Sequence, residues 1–118
     1  MTSDPVARPR DGASVTPGPP WRPVEVLDRV GSTNAVVAAD PSPWRVVVAE
    51  RQDAGRGRLG RSWETVPGTA LAVSVLVPPP PSGAAWVPLF AGLAVQRAVL
   101  DVAGVATSLK WPNDVLVP

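Results

Sequence analysis

The chain contains no cysteine and no histidine. Without cysteine, disulfides, thiolate zinc sites and a cysteine nucleophile are excluded. Without histidine, the commonest general base is missing, and with it any serine–histidine triad. Lysine is almost absent as well. Lys110 is the only one among eleven basic residues, and the other ten are arginine. Chemistry must therefore rest on arginine, one lysine, carboxylates, amides, hydroxyls and backbone N–H groups. Such a set holds anions and neutralises developing charge, as phosphoryl and adenylyl transfer require.

Bulk charge is scarce too. The net charge is +1 over 118 residues, so no general attraction to nucleic acid is expected. Apolar stretches are interrupted by Pro, Gln, Arg or Asp short of the roughly 20 residues that span a bilayer, so no membrane partner is expected. Residues 1–20 carry no hydrophobic segment of a signal peptide, which makes a cytoplasmic location the default expectation. Hydrophobic residues make up 45% of the chain, enough for a core, and the length fits one domain.

Residues 1–22 are rich in Pro, Gly, Ser and Arg without apolar periodicity, and are expected to form a disordered tail. They are too few to hold a helix-turn-helix DNA-binding domain. Residues 23–118 are expected to be structured. Val24 to Val30 reads as a strand ending at Gly31. Ser32-Thr33-Asn34 then opens an apolar run, Ala35 to Ala39, and reads first as a helix cap. Trp44 to Glu50 reads as a buried strand through Val46-Val47-Val48. Thr69 to Val77 reads as a second buried strand, with Leu71, Val73, Val75 and Val77 on one face and Ala72, Ser74 and Leu76 on the other, both faces covered. A helix is expected from Trp86 to Val102, packed on a sheet and closed by Gly104. Ala106 to Trp111 reads as a strand. Val115 to Val117 begins another, with no partner strand after it. The order predicts a mixed α/β (α+β) sheet with packed helices.

Between the two buried strands lies Arg51-Gln52-Asp53-Ala54-Gly55-Arg56-Gly57-Arg58-Leu59-Gly60-Arg61-Ser62-Trp63. It matches G-x-G-x-x-G formally, but no helix pattern follows and position 80 is proline, which argues against a dinucleotide site. A flexible loop of arginine and glycine fits a ligand clamp: glycine permits close backbone approach, and guanidinium supplies charge and paired hydrogen bonds. An RNA-binding Arg-Gly segment is the competing reading. Lys110-Trp111-Pro112-Asn113-Asp114 stands at a strand end, where ligands gather in α/β sheets, and reads equally as a structural turn.

Taken together, Ser32-Thr33-Asn34, Gln52, Gly55-Arg56-Gly57-Arg58 with Gly60-Arg61 and Trp63, and Lys110-Trp111-Pro112-Asn113-Asp114 resemble the biotin–protein ligase family in order and spacing. The resemblance runs over residues 24–117. It corresponds to about the first half of that family's catalytic domain, so the chain alone is expected to be incomplete for full biotinylation. What the resemblance implies is ATP-dependent conversion of biotin to biotinyl-5′-AMP, with Mg²⁺ assisting, and transfer to a lysine of a biotin carboxyl carrier protein. It implies Ser32, Thr33, Asn34, Gln52, Arg56, Gly57, Arg58 and Lys110 as biotin contacts. Gly55, Arg58, Arg61, Trp63, Asn113 and Asp114 lie on the implied nucleotide side. Arg58 and Lys110 are the implied catalytic pair, and no protein ligand to a metal is assigned. Lipoate–protein ligase chemistry and a non-catalytic ligand- or RNA-binding role are the alternatives.

Overall fold

A computed structural model describes residues 16–118 other than Thr65 and Pro67. The chain divides into two compact units, one ending at Pro78 and one running from Pro79 to Pro118.

The first unit is built on a three-stranded sheet ordered β1-β2-β5. Strand β1 (Glu25–Val30) runs parallel to β2 (Val46–Gln52), with Glu25 opposite Val47 and Val30 opposite Gln52. Helix α1 (Thr33–Ala39) makes the crossover between them that parallel strands require. Strand β5 (Ala72–Val75) lies antiparallel on the other side of β2. The central strand is the most continuously apolar one, as a position between two neighbours demands. Leu27, Val30, Val37, Val47, Ala49 and Ala72 form the core, with Val30, Val47 and Ala49 fully buried. Helix α1 covers one sheet face through Thr33 and Val37, which are i and i+4 and share one side of the helix.

Strand β5 corrects the expectation of a nine-residue strand buried on both faces. Only four residues pair, and the pattern alternates: Ala72 and Ser74 are buried, while Val73 and Val75 are about half exposed. The apolar alternation was real, but the described residues cover one face only.

The expected tail falls mainly on residues 1–15, which lie outside the described residues. Ordered contacts begin within 16–22. Trp21 meets Trp44 edge to face at 5.1 Å, and the Arg22 N–H donates to the Trp44 carbonyl.

Arg45 locks the start of this unit. Its Nε and Nη2 donate to both Glu25 carboxylate oxygens at 2.7 and 3.0 Å, and its Nη1 donates to the carbonyls of Val36 and Asp40. The hydrogen bond to Glu25 is the main cause that raises the Arg45 pKa, against a smaller lowering by burial, so the side chain stays charged at any working pH. Arg45→Met should leave two helix-end carbonyls without this donor. The Glu25 side chain is 45% exposed and can rehydrate, which limits the loss to about 1–2 kcal/mol. Urea unfolding of the variant measures this, and an unchanged midpoint would show that the fork contributes nothing.

In the second unit, helix α2 (Val87–Ala103) follows a 3-10 turn at Ala84–Trp86. Gly104 ends it in the left-handed conformation at φ 68°, donating to the Leu100 carbonyl. This is the closing role expected of it. Strands β6 (Ser108–Lys110) and β7 (Asp114–Leu116) form an antiparallel hairpin. The expectation of an unpartnered last strand is thereby corrected: Leu109 faces Val115 and Lys110 faces Asp114. Helix α2 packs on this hairpin. A Cβ at Gly92 would lie 3.1 Å from Leu109, and Gln96 donates to the Thr107 carbonyl.

The expectation that no segment reaches spanning length also needs correction. Ala84–Ala103 has 20 residues and a mean hydropathy of 1.3, sufficient by length and composition alone. None of its helical residues is buried among the described residues, and its surface also carries Arg97 and Asp101 as an i,i+4 ion pair at 3.0 Å.

Candidate ligand-binding site

The site begins with the end of a helix. The first N–H groups of α1 have no partner within the helix. Ser32 caps it, its Oγ accepting from the Ala35 N–H at 3.4 Å. The cap reading is therefore correct, but it is not the whole role of the segment. The Thr33 N–H is satisfied by a side chain from the sheet: Gln52, the last residue of β2, accepts it through Oε1 at 2.8 Å. Parallel pairing of β1 with β2 sets Gln52 opposite Val30, three residues before Thr33, which is why the carboxamide reaches the helix start.

From this anchor a chain of polar groups runs across the sheet. Thr33 Oγ1 lies 2.6 Å from Ser74 Oγ on β5, and Ser74 Oγ donates to Asn34 Oδ1 at 2.5 Å. Thr33, Gln52 and Ser74 are buried, whereas Asn34 is exposed. The group forms the floor of a cleft of about 220 Å³. Ser32, Asn34, Arg56 and Trp63 stand around it, and Leu71, Ala72 and Val73 supply apolar wall.

The arginine–glycine segment is more regular than the flexible loop expected from it. Strand β3 (Gly55–Arg56) pairs antiparallel with β4 (Ser62–Trp63), and Arg58–Gly60 makes the turn between them. No helix follows Gly60, in agreement with the rejection of a dinucleotide fold. Gly55 is buried where β3 meets Gln52. A Cβ there would lie 2.6 Å from Gln52 Nε2 and 2.9 Å from the Trp63 carbonyl oxygen. Gly60 has φ 74°, and Leu59 beside it takes φ 59° with its side chain 90% exposed.

The geometry sorts the sequence-derived residues into groups. Ser32, Thr33, Asn34, Gln52, Arg56 and Trp63 meet around one cleft. Gly55 supports it from beneath. Gly57, Arg58 and Arg61 lie toward the hairpin tip, exposed and off the cleft wall. Arg51 turns to Asp53 at 3.5 Å, a carboxylate shared with Arg29, and so belongs to the base of the hairpin. Lys110, Asn113 and Asp114 belong to the second unit. There they edge an apolar cavity of about 340 Å³ between α2 and the hairpin. That cavity is the larger, but the smaller cleft gathers more convergent polar groups, the usual mark of a small-molecule site.

Ser74 is the site residue that sequence reasoning missed. It reads as one small residue in an apolar alternation. The available signal was a hydroxyl on the same strand face as Ala72, which strand pairing turns toward the helix start.

A donor–acceptor floor, apolar walls and an arginine at the rim suit a ligand with a small polar ring, an apolar body and an anionic end. Among the described residues no cluster of three acidic side chains forms a metal site.

Residues 26–118 match the biotin/lipoate A/B protein ligase family. The biotin–[acetyl-CoA-carboxylase] ligase of Mycobacterium tuberculosis is 40% identical over 110 residues, covering 84% of this chain and 41% of the relative. A biotin–[acetyl-CoA-carboxylase] ligase of Paracoccus denitrificans is 39% identical over 100 residues, covering 78% of this chain and 41% of the relative. The bifunctional ligase/repressor BirA of Bacillus subtilis is 34% identical over 96 residues, covering 79% of this chain and 30% of the relative. The chain thus spans about two fifths or less of the length of these curated relatives. With its family-wide match and its polar cleft beneath an arginine–glycine hairpin, the chain belongs to the biotin/lipoate A/B protein ligase family.

Proposed function

We propose that the chain carries the biotin-recognition part of a biotin–protein ligase. The observation that carries this reading is the buried Thr33–Gln52–Ser74 floor with Asn34 at its mouth. A cyclic urea offers one carbonyl acceptor and two N–H donors, and matches a floor that both donates and accepts. The dithiolane of lipoate offers no such groups. Buried against it, the hydroxyls and amides would face an apolar ring without partners, a mismatch that polar sites reject strongly. The two relatives named as biotin–[acetyl-CoA-carboxylase] ligases support the same choice.

In this reading biotin is activated before it is transferred. A carboxylate oxygen attacks the α-phosphorus of ATP, the bond to the β-phosphate breaks, and pyrophosphate leaves. The lysine amine of a carrier protein then attacks the acyl carbon of biotinyl-AMP, loses a proton, and AMP departs. Both partners of the first step are anionic, so nearby positive charge lowers the barrier. Arg56 at the cleft rim is placed for the carboxylate end. Arg58 and Arg61 on the hairpin tip are free to meet phosphate, with Gly57 allowing close backbone approach. Mg²⁺ bound to the polyphosphate would supply further neutralisation of the same charge. Asn113 and Asp114 take the nucleotide side.

Biotin-dependent exchange of labelled pyrophosphate into ATP, measured in a completed catalytic domain, tests the reading. Exchange is expected with biotin and not with lipoate, and the reverse preference would sink it. For Lys110 the reading assigns charge neutralisation as the new bond forms. Lys110→Ala, made in a completed catalytic domain, should therefore slow exchange about 100-fold while changing biotin affinity less than about threefold. A variant with near-normal exchange would make Lys110 a structural residue of its turn.

A further inference from the structure

Ser74 stands in a position to decide which end of the Asn34 amide the cleft presents. Its hydroxyl has one proton. That proton goes to Asn34 Oδ1, which can only accept, at 2.5 Å. The 2.6 Å contact with Thr33 Oγ1 must then use the Thr33 proton, so Thr33 donates and Ser74 accepts. Thr33 Oγ1 also lies 3.3 Å from Gln52 Oε1, but one proton cannot serve both, and the shorter contact wins. Gln52 Oε1 retains the Thr33 N–H at 2.8 Å. The result is a directed chain, Thr33 to Ser74 to Asn34.

A directed chain fixes a polarity. With Oδ1 engaged by Ser74, the NH₂ end of Asn34 is left for the mouth of the cleft, where the residue is exposed. The opposite arrangement needs Asn34 NH₂ to donate to Ser74, Ser74 to Thr33, and Thr33 to Gln52 across the longer 3.3 Å contact. Buried chains of this kind are cooperative, so the orientation at one end constrains the other.

We propose that Ser74 is a positioning residue that sets the hydrogen-bond polarity of Asn34, making the cleft a donor site for a carbonyl-bearing cyclic urea and an unfavourable one for an amidine- or guanidine-type ring. This deepens the biotin reading and rests on it. Removing the hydroxyl frees the Asn34 amide to turn over. The cleft should then lose affinity for the carbonyl ligand and also lose discrimination against its nitrogen analogue.

The test is calorimetric titration of the chain and its Ser74→Ala variant with biotin and with 2-iminobiotin, with thermal melting alongside. Ser74→Ala is expected to weaken biotin binding about tenfold and to shrink the ratio of the two affinities about fivefold. Ser74→Cys keeps a weak donor and should fall between, and it decides the matter if the alanine variant does not fold. An equal loss for both ligands, or an unchanged ratio, would overturn the assignment and leave Ser74 as packing. Wild-type protein that binds neither ligand would remove the biotin reading itself, and the positioning role with it.

Discussion

Replacing Gly55 with alanine should cost both stability and ligand binding, more than any other single methyl added to the hairpin. The new Cβ would stand 2.6 Å from Gln52 Nε2 and 2.9 Å from both the Trp63 carbonyl oxygen and its ring. A side-chain tip can swing aside, but a carbonyl oxygen in the paired strand cannot. Either β3 and β4 separate or Gln52 gives way. If Gln52 moves, the Thr33 N–H loses its acceptor in a buried place. Overpacking and lost pairing together should remove about 1–3 kcal/mol of stability and at least about tenfold in biotin affinity. Gly60→Ala is the contrast. No atom lies within 4 Å of its added Cβ, and only the left-handed backbone at φ 74° opposes it. About 1 kcal/mol and little change in affinity are expected there. Denaturant unfolding and calorimetry on both variants check this, and equal effects would show that the close approach beneath the cleft is unimportant.

Gln52→Leu should be nearly as damaging, for a different reason. Leucine fits the volume but accepts nothing. The Thr33 N–H belongs to the helix start, has no partner within α1, and is buried. Leaving it unpaired should cost about 1–3 kcal/mol, and biotin binding should fall at least about 100-fold because the floor loses its central amide. Gln52→Glu keeps an acceptor for the Thr33 N–H. Because the new carboxyl is buried, it should recover only part of the stability, and binding should stay weak, since the amide donors are gone. A leucine variant that binds normally would show that the floor is not the site.

The sequence made some of this legible, and the reasons are local. Ser32 caps α1 and Gly104 ends α2 because caps depend on one residue's chemistry and its immediate neighbours. Strand β2 was legible because a central strand must be apolar on both sides. The joint occurrence of Ser32-Thr33-Asn34, Gln52, the arginine–glycine segment and the Lys110–Asp114 turn carried the family. Pairing was not legible. Nothing in Gly55-Arg56 or Ser62-Trp63 alternates over enough residues to announce a hairpin. Nothing in Val115 to Leu116 announces that β6 is its partner. The exposed side of β5 and the inward hydroxyl of Ser74 have the same origin. An alternating strand states that its two faces differ, and only the tertiary packing states which face is covered.

The most direct measurement is a side-by-side calorimetric titration of the chain with biotin, lipoate and a short single-stranded RNA, repeated with Gln52→Leu. Saturable one-to-one binding of biotin, lost in the variant, with neither of the other two ligands competing, is what a polar urea-binding floor requires. Preferential binding of lipoate or RNA, or biotin binding indifferent to Gln52, would contradict it.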